Sequence, residues 1–244
     1  MEKSRKTKVL LIIALVLAVA GMSLGFAAFS ATLNISSSAT VTPNSDDFKI
    51  NVYGLKESRS LTDILNSFDE SWLSDTVGMA YAYNSTNTTF TQAKINNNTN
   101  SVSISNIQAQ YISDTHCNVE YYFLIANEGQ YDAILPYAPF ESYFEKTYTK
   151  NCNAEENTNS ELVNAVCEGM DLYIALANTE TSEEILNSAT NVTVDFTSGY
   201  TLKPGEKLFM CVGIDYESSV LPDGNMEIEF GDINLEFTTV PISN

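Results

Sequence analysis

Residues 207–237 read K-L-F-M-C-V-G-I-D-Y-E-S-S-V-L-P-D-G-N-M-E-I-E-F-G-D-I-N-L-E-F. Short runs rich in Val, Ile, Phe and Tyr alternate here with turn residues, which is typical of antiparallel strands. The segment 222–225 contains Asp-Gly, a pair that adopts the left-handed backbone of tight turns, so it predicts a hairpin between the first two runs. Gly231 and Asp232 interrupt the second run, which predicts a bulge or bend before the last strand.

The same pattern recurs through the chain after residue 30, whereas helical periodicity is scarce. Pro204 and Gly205 form a turn that starts the strand at Lys207. The predicted strands are 31–41, 48–52, 79–83, 90–95, 102–110, 119–126, 133–140, 170–177, 192–196, 207–216 and 226–237. So many short strands fill two packed sheets. We therefore expect an all-β fold, an immunoglobulin-like or jelly-roll β-sandwich with short helical insertions.

Three segments carry a helical pattern instead. The first begins at Leu61, where Ser60 is placed to cap the opening turn. Trp72 falls on the apolar face of this segment, and we interpret it as a core anchor rather than a ligand platform. The second segment is 157–167 and the third is 182–188. The apolar face of the first consists of Leu61, Ile64, Leu65, Phe68 and Trp72.

The first thirty residues have the parts of a secretory signal peptide. A basic start leads into an apolar run at 9–29, which small residues follow. The run is also long enough to span a bilayer, so retention as an anchor remains an alternative to cleavage. Residues 1–28 are thus predicted to be a signal peptide or membrane anchor, 29–47 an extended segment, and 48–244 the β-sandwich domain. The predicted cleavage region is Ala27, Ala28, Phe29 and Ser30.

The net negative charge of the chain restricts the classes of molecule that it can bind. Beyond residue 28 the chain keeps 8 basic and 30 acidic side chains, a formal net charge of −22. Such a surface repels phosphate backbones and anionic lipids, which argues against nucleic-acid binding and against a peripheral membrane role. No segment has the ligand pattern of a calcium loop, and the polar cluster at 44–47 is interpreted as a turn. A membrane contact is expected only through the N-terminal helix, if that helix is retained.

Four cysteines in an exported chain predict disulfide bonds. Cys152 and Cys167 enclose a short loop around a predicted helix, so we expect this pair to be bridged. Cys117 and Cys211 lie in predicted strands, where they either join two strands or remain as small buried apolar residues. A zinc site is disfavoured because there is no C-x-x-C pair and His116 is the only histidine.

Enzyme chemistry finds little support in the sequence. Neither H-E-x-x-H nor a glycine-rich phosphate loop is present. His116 and Cys117 are adjacent on a predicted strand, so their side chains point to opposite faces and cannot form a nucleophile–base pair. A carboxylate pair for glycoside hydrolysis is not marked by any pattern. We expect a protein without enzymatic activity, catalytic residues, cofactor or metal.

Three stretches resemble the TasA/camelysin-like surface proteins of Gram-positive bacteria. They are F-A-A-F-S-A-T-L-N-I-S-S-S-A-T-V at 26–41, I-A-N-E-G-Q-Y-D-A-I-L at 125–135, and the closing strands at 202–237. The resemblance implies a sandwich on the cell surface or in the biofilm matrix, with some members forming fibres. Some camelysin-like proteins are described as metalloproteases, whereas this chain has a single histidine. Residues 54–74 and 141–159 match no pattern of the family.

A fibre role also has a physical basis. Cleavage would free an uncharged segment that can add as a strand to the sheet edge of another copy. Alternatively, the same segment folds back onto its own sheet. The candidate strand-exchange residues are Phe29, Thr32, Ile35, Thr40 and Val41. Other copies of this chain or other surface proteins are thus the expected partners.

Two further functions are alternatives. One is a monomeric binding module or adhesin, held at the membrane by the N-terminal helix. In that case exposed tyrosines would contact polysaccharide or a host protein. The other alternative is a secreted hydrolase with a carboxylate pair. The tyrosines considered for binding are Tyr81, Tyr83, Tyr121 and Tyr131.

Overall fold

A computed structural model describes residues 48–83, 85–178 and 199–239. The chain divides into two compact units, Met1–Thr42 and Pro43–Asn244, and the described residues belong to the second. The predicted signal or anchor segment 1–28, the extended segment 29–47 and the third helical segment lie outside them. Within the described ranges, no helix has the length and apolar character needed to cross a membrane.

The described chain is mostly antiparallel β-strand, which confirms the all-β class. Three short helices interrupt the strands: α1 Leu61–Ser67, α2 Ala138–Phe144 and α3 Ser160–Gly169. The strands are β1 Ile50–Leu55, β2 Leu73–Ser74, β3 Val77–Gly78, β4 Ala80–Tyr83, β5 Thr89–Phe90, β6 Ala93–Asn97, β7 Ser101–Ser105, β8 Gln108–Gln110, β9 His116–Asn127, β10 Ala133–Leu135, β11 Lys150–Ala154, β12 Met170–Asn178, β13 Tyr200–Leu202, β14 Lys207–Glu217, β15 Met226–Phe230, β16 Ile233–Glu236 and β17 Thr238–Thr239.

The largest sheet, hereafter the large sheet, has the order β12-β14-β9-β1-β2, and β4 pairs with β9 as well. The long strands β9 and β14 form its centre, and β14 pairs along its whole length with residues 116–126 of β9. Strands β1 and β4 both pair with β9, β1 along 123–127 and β4 along 118–121. The alternation of side chains along β9 and β14 therefore gives the large sheet an inner and an outer face.

Two four-stranded sheets form the opposing layer, in the orders β16-β7-β6-β3 and β11-β15-β8-β5. They continue into each other, because the backbone N–H of Phe230 donates to the carbonyl of Ile107 across the break, at 3.0 Å. The break falls at Gly231 on one strand and at Asn106, with a φ of 64°, on its neighbour. The bend predicted at Gly231 is confirmed. Before it, β15 pairs with β8 and β11, and after it, β16 pairs with β7.

The predicted hairpin at 222–225 is wrong. Strand β14 pairs with β9 and β12, whereas β15 pairs with β8 and β11, so the connection crosses from one layer to the other. The reason is burial: Ile214 of β14 and Ile228 of β15 belong to the same core, to which they contribute from opposite layers. Asp223 accepts a hydrogen bond from the backbone N–H of Asn159 instead of closing a two-residue turn.

The main hydrophobic core lies between the two layers. It takes alternate side chains of β9, such as Val119 and Tyr121, together with Ile104 of β7. Phe140 of α2 is also fully buried in this core. The strand predicted at 133–140 therefore ends at Leu135, because Pro139 occupies the first turn of a helix, where its missing N–H costs nothing. A three-stranded sheet of β13, β10 and β17 completes the described fold.

Helix α1 confirms the first helical prediction, and Ser60 accepts a hydrogen bond from the N–H of Asp63 as its N-cap. The helix ends at Ser67, so Trp72 lies in a separate 3-10 turn, Glu70–Trp72, rather than on the helix. Trp72 still packs on a second apolar cluster that covers the outer face of the large sheet. Helix α3 confirms the second prediction, with Asn159 as its cap. The second cluster consists of Leu55, Leu61, Ile64, Tyr122, Ala175 and Cys211.

Candidate functional site

The predicted N-terminal site residues lie outside the described part of the chain. These are the cleavage-region residues Ala27, Ala28, Phe29 and Ser30, and the strand-exchange residues Thr32, Ile35, Thr40 and Val41. Their roles stay predictions.

The cysteines occupy two kinds of environment. Cys152 of β11 and Cys167 of α3 form a disulfide with their Cα atoms 6.1 Å apart, which confirms the predicted pair. Cys117 and Cys211 are buried free thiols. They pack in different clusters on the two faces of the large sheet, so they do not join two strands. Burial raises the pKa of the Cys117 thiol to about 12, which keeps it protonated and unreactive.

His116 is exposed while Cys117 is buried, so the predicted opposite orientation of the two side chains is confirmed.

A buried carboxylate lies on the outer face of the large sheet. Glu120 of β9 is only 6% exposed. Tyr173 of β12 donates from its hydroxyl to Oε1 of Glu120 at 3.0 Å, and the hydroxyls of Tyr83 and Tyr122 donate to Oε2. We call these four residues the Glu120 cluster. Three phenols thus replace the water that an exposed carboxylate would bind.

The Glu120 cluster is suited to holding strands together. The hydroxyls of Tyr83 and Tyr122 lie 2.9 Å apart, so the cluster links β4, β9 and β12 across the sheet. Burial, together with the nearby carboxylate, raises the pKa of Tyr83, Tyr122 and Tyr173, so all three remain neutral donors. None of the salt bridges among the described residues involves Glu120. This arrangement satisfies a buried carboxyl group with hydrogen bonds.

A cleft of about 500 Å³ lies on the same face of the sheet, which we call the outer cleft. Its floor includes Leu124 and Ala126 of β9. One wall is formed by residues 56–75, the insertion that carries α1, and contributes Lys56, Glu70 and Asp75. This volume is within the range of roughly 300–1,000 Å³ typical of small-molecule sites.

Two charged pairs involve residues that line the outer cleft. Nζ of Lys207 on β14 lies 2.8 Å from Oε1 of Glu70, which ties the insertion to the sheet. Glu128 accepts from the Tyr53 hydroxyl and pairs with Lys49 at 2.7 Å. Partial burial raises the pKa of Glu128, but the hydrogen bonds from Lys49 and Tyr53 outweigh it and leave that pKa below its usual value. Glu128 is therefore an ionised acceptor.

Strand β4 forms an exposed edge of the large sheet. Within the described residues it pairs with β9 on one side only, and Ala82 is exposed. At the other edge of the large sheet, helix α2 contacts strand β12. Helix α3 contacts the edge strand β11 and is joined to it by the disulfide, and Nζ of Lys150 donates to the carbonyls of Cys167 and Met170. Asn151, Asn153 and Ala154 of β11 remain exposed.

The tyrosines considered for binding separate into two groups. Tyr121 is fully buried in the main core, so its predicted exposure is wrong: position 121 falls on the inner face of β9. Tyr81, Tyr83 and Tyr131 are partly exposed.

The Glu120 cluster was not predicted from the sequence. The sequence feature that could have indicated this cluster is Glu120 itself, the single acidic residue within the apolar run 119–126, where neighbours on both faces are hydrophobic.

The described residues hold no group of three or more His, Cys, Asp or Glu side chains placed to bind a metal ion. No protein-family model, curated protein or solved structure matches the chain.

Proposed function

We propose that this protein is an exported structural subunit that assembles on the outside of the cell by strand exchange. In this proposal residues 29–41 of one copy pair with strand β4 of the next copy. The domain belongs to the immunoglobulin-like or jelly-roll group of β-sandwiches and has no enzymatic activity. The proposal is carried by one observation: within the described residues β4 pairs on one side only and exposes Ala82, whereas helices α3 and α2 contact the edge strands β11 and β12.

The chemistry of both segments supports this pairing. An edge strand offers backbone N–H and C=O groups that another strand can use. Residues 29–41 carry no charge and include the β-branched Thr32, Ile35, Thr40 and Val41, which favour extended structure. Because the donor and acceptor surfaces differ, repetition of the contact forms an open filament rather than a closed dimer.

The environment of the reactive groups supports a role without catalysis. The Cys117 thiol is buried and held protonated. The buried carboxylate of Glu120 is occupied by three phenol hydroxyls. Neither group is presented to a substrate, and general acid–base catalysis requires the catalytic group within hydrogen-bond reach of the proton it moves.

The test is secretion of the full chain from a Gram-positive host, followed by N-terminal sequencing and electron microscopy. We expect a mature N-terminus near Phe29 and filaments. Ala82→Lys places a charge on the β4 edge and should reduce the product to monomers, because a lysine on an edge strand opposes pairing. Ala154→Lys makes the same change at an exposed position of the β11 edge and should leave filaments intact.

The variants must first be shown to melt like the natural chain, so that loss of filaments reports assembly rather than folding. Monomers of the natural chain with a mature N-terminus would overturn the proposal. Filaments that survive Ala82→Lys would exclude β4 as the acceptor edge.

A further inference from the structure

The outer cleft concentrates basic side chains in an otherwise acidic protein. Only 8 basic residues lie beyond residue 28, against 30 acidic ones. Lys56 and Lys207 line the cleft, and Lys49 pairs with Glu128, which also lines it. Glu70 and Asp75 line it as well. The cleft therefore presents donors and acceptors together rather than one sign of charge.

The floor of the outer cleft offers no free backbone. Strand β9, which supplies Leu124 and Ala126, pairs with β1 on one side and β14 on the other along this stretch. A ligand there is recognised through side chains above an apolar floor. An extended peptide is usually recognised through its main chain at a sheet edge, and the edge strand that lines the cleft, β2, is only two residues long.

We propose that the outer cleft binds a neutral oligosaccharide. A sugar hydroxyl both donates and accepts, so it can bridge an ammonium and a carboxylate such as the Lys207–Glu70 pair, whose atoms are 2.8 Å apart. The C–H face of a pyranose ring can pack on an apolar side chain such as Leu73, which lines the cleft and is partly exposed. Polyanions are disfavoured by the three carboxylates of Glu70, Asp75 and Glu128 in the cleft and by the overall charge.

The ligand groups are already placed by contacts within the protein. Lys56 donates from Nζ to the carbonyl of Ser71 at 2.8 Å, which holds it against the insertion. Asn51 donates from Nδ2 to Glu128 at 2.9 Å, and the Tyr53 hydroxyl donates to the same carboxylate. Such preorganisation lowers the entropic cost of binding. The proposal does not depend on strand exchange, because β4 is not among the lining residues.

The test is isothermal titration calorimetry of the secreted natural protein with chitotriose, cellotriose, maltotriose and mannotriose. We expect at least one trisaccharide to bind. Glu70→Gln and Lys207→Met should each weaken that binding by about tenfold or more, since each removes a charged hydrogen-bond partner. Lys94→Met removes an exposed lysine on β6 of the opposing layer and should bind like the natural protein.

Circular dichroism melting of each variant separates loss of binding from loss of fold, and only variants that melt like the natural protein are compared. The proposal fails if none of the four trisaccharides binds. It also fails if Glu70→Gln and Lys207→Met bind sugar as the natural protein does. Binding of charged tetrapeptides without any sugar binding would show that the occupant is a peptide and would likewise overturn it.

Discussion

Tyr173 and Gly213 are directly paired on the neighbouring strands β12 and β14, and the phenol ring of Tyr173 occupies the space above Gly213. A Cβ atom built on Gly213 would lie 2.0 Å from Cζ of the ring. The absence of a side chain at Gly213 thus lets Tyr173 lie flat on the sheet and reach Glu120 at 3.0 Å. A glycine in the centre of a strand serves here to position a buried hydrogen bond.

Replacing Gly213 by alanine should destabilise the protein. The new methyl group would push the Tyr173 ring away and break its hydrogen bond to Glu120, and overpacking of this kind costs about 1–3 kcal/mol. The free energy of unfolding from urea titration would measure the loss. Gly231→Ala is the matched control, because a Cβ there meets its nearest atom at an ordinary 3.7 Å. Equal stability of the two variants would contradict the role assigned to Gly213.

The Glu120 cluster should make stability fall at alkaline pH. The pKa of Tyr122 is raised by burial, so above the ordinary value of 10.0 the unfolded chain loses this proton before the folded protein does. The stabilisation is complete below about pH 10 and decreases as the pH rises further. Tyr122→Phe should cost about 1 kcal/mol near neutral pH and lose less stability than the natural protein above pH 10.

Melting temperature measured against pH checks this expectation. Tyr111→Phe is the control, since Tyr111 is 53% exposed. It should follow the natural protein at every pH. An alkaline decrease that is unchanged in Tyr122→Phe would contradict the proposed contribution of this tyrosine.

Asp114 should stabilise the loop at 85–88 in a pH-dependent way. Its Oδ2 accepts from the backbone N–H of Thr88 at 2.9 Å and of Asn87 at 3.2 Å, while its Oδ1 accepts from the Thr86 hydroxyl at 2.8 Å. Partial burial raises the pKa of Asp114, but these hydrogen bonds outweigh it and hold that pKa well below the ordinary 3.8. The stabilisation is therefore present above pH 4 and is lost as the pH falls through the lower, folded-state value.

Asp114→Asn should cost about 1.5–3 kcal/mol at neutral pH, because a charged acceptor is lost. The difference from the natural protein should shrink below about pH 4. Urea unfolding at a series of pH values measures both effects, and Asp232→Asn is the control at an exposed position. A difference that stays constant down to strongly acidic pH would refute the linkage.

The disulfide between Cys152 and Cys167 should stabilise the edge of the opposing layer. It closes a separation of 15 residues, for which loop-closure entropy gives about 3 kcal/mol. The double variant Cys152→Ala, Cys167→Ala should lose stability of this order in urea. A reductant should destabilise the natural protein by a similar amount and leave the double variant unchanged. An effect of reductant on the double variant would point to the other two cysteines instead.

Local patterns were sufficient to locate several elements. The apolar runs at 119–126 and 207–216, rich in β-branched and aromatic residues, predicted the two central strands, which the structure extends by a few residues. The Ser60 cap predicted α1, and the spacing of Cys152 and Cys167 predicted their pairing. These features depend on residues near one another in the chain, so they can be recognised without knowledge of the tertiary structure.

What the sequence by itself determined is the all-β class, the positions of the main strands, and the disulfide. Only the tertiary structure decided which strands pair, so the Asp-Gly segment at 222–225 connects two layers instead of closing a hairpin. It also brought Tyr83 and Tyr173 to Glu120, and the insertion to the sheet at Lys207 and Glu70. The physical reason is that a strand's pattern specifies which of its faces is apolar, whereas its partners depend on how distant segments bury those faces together.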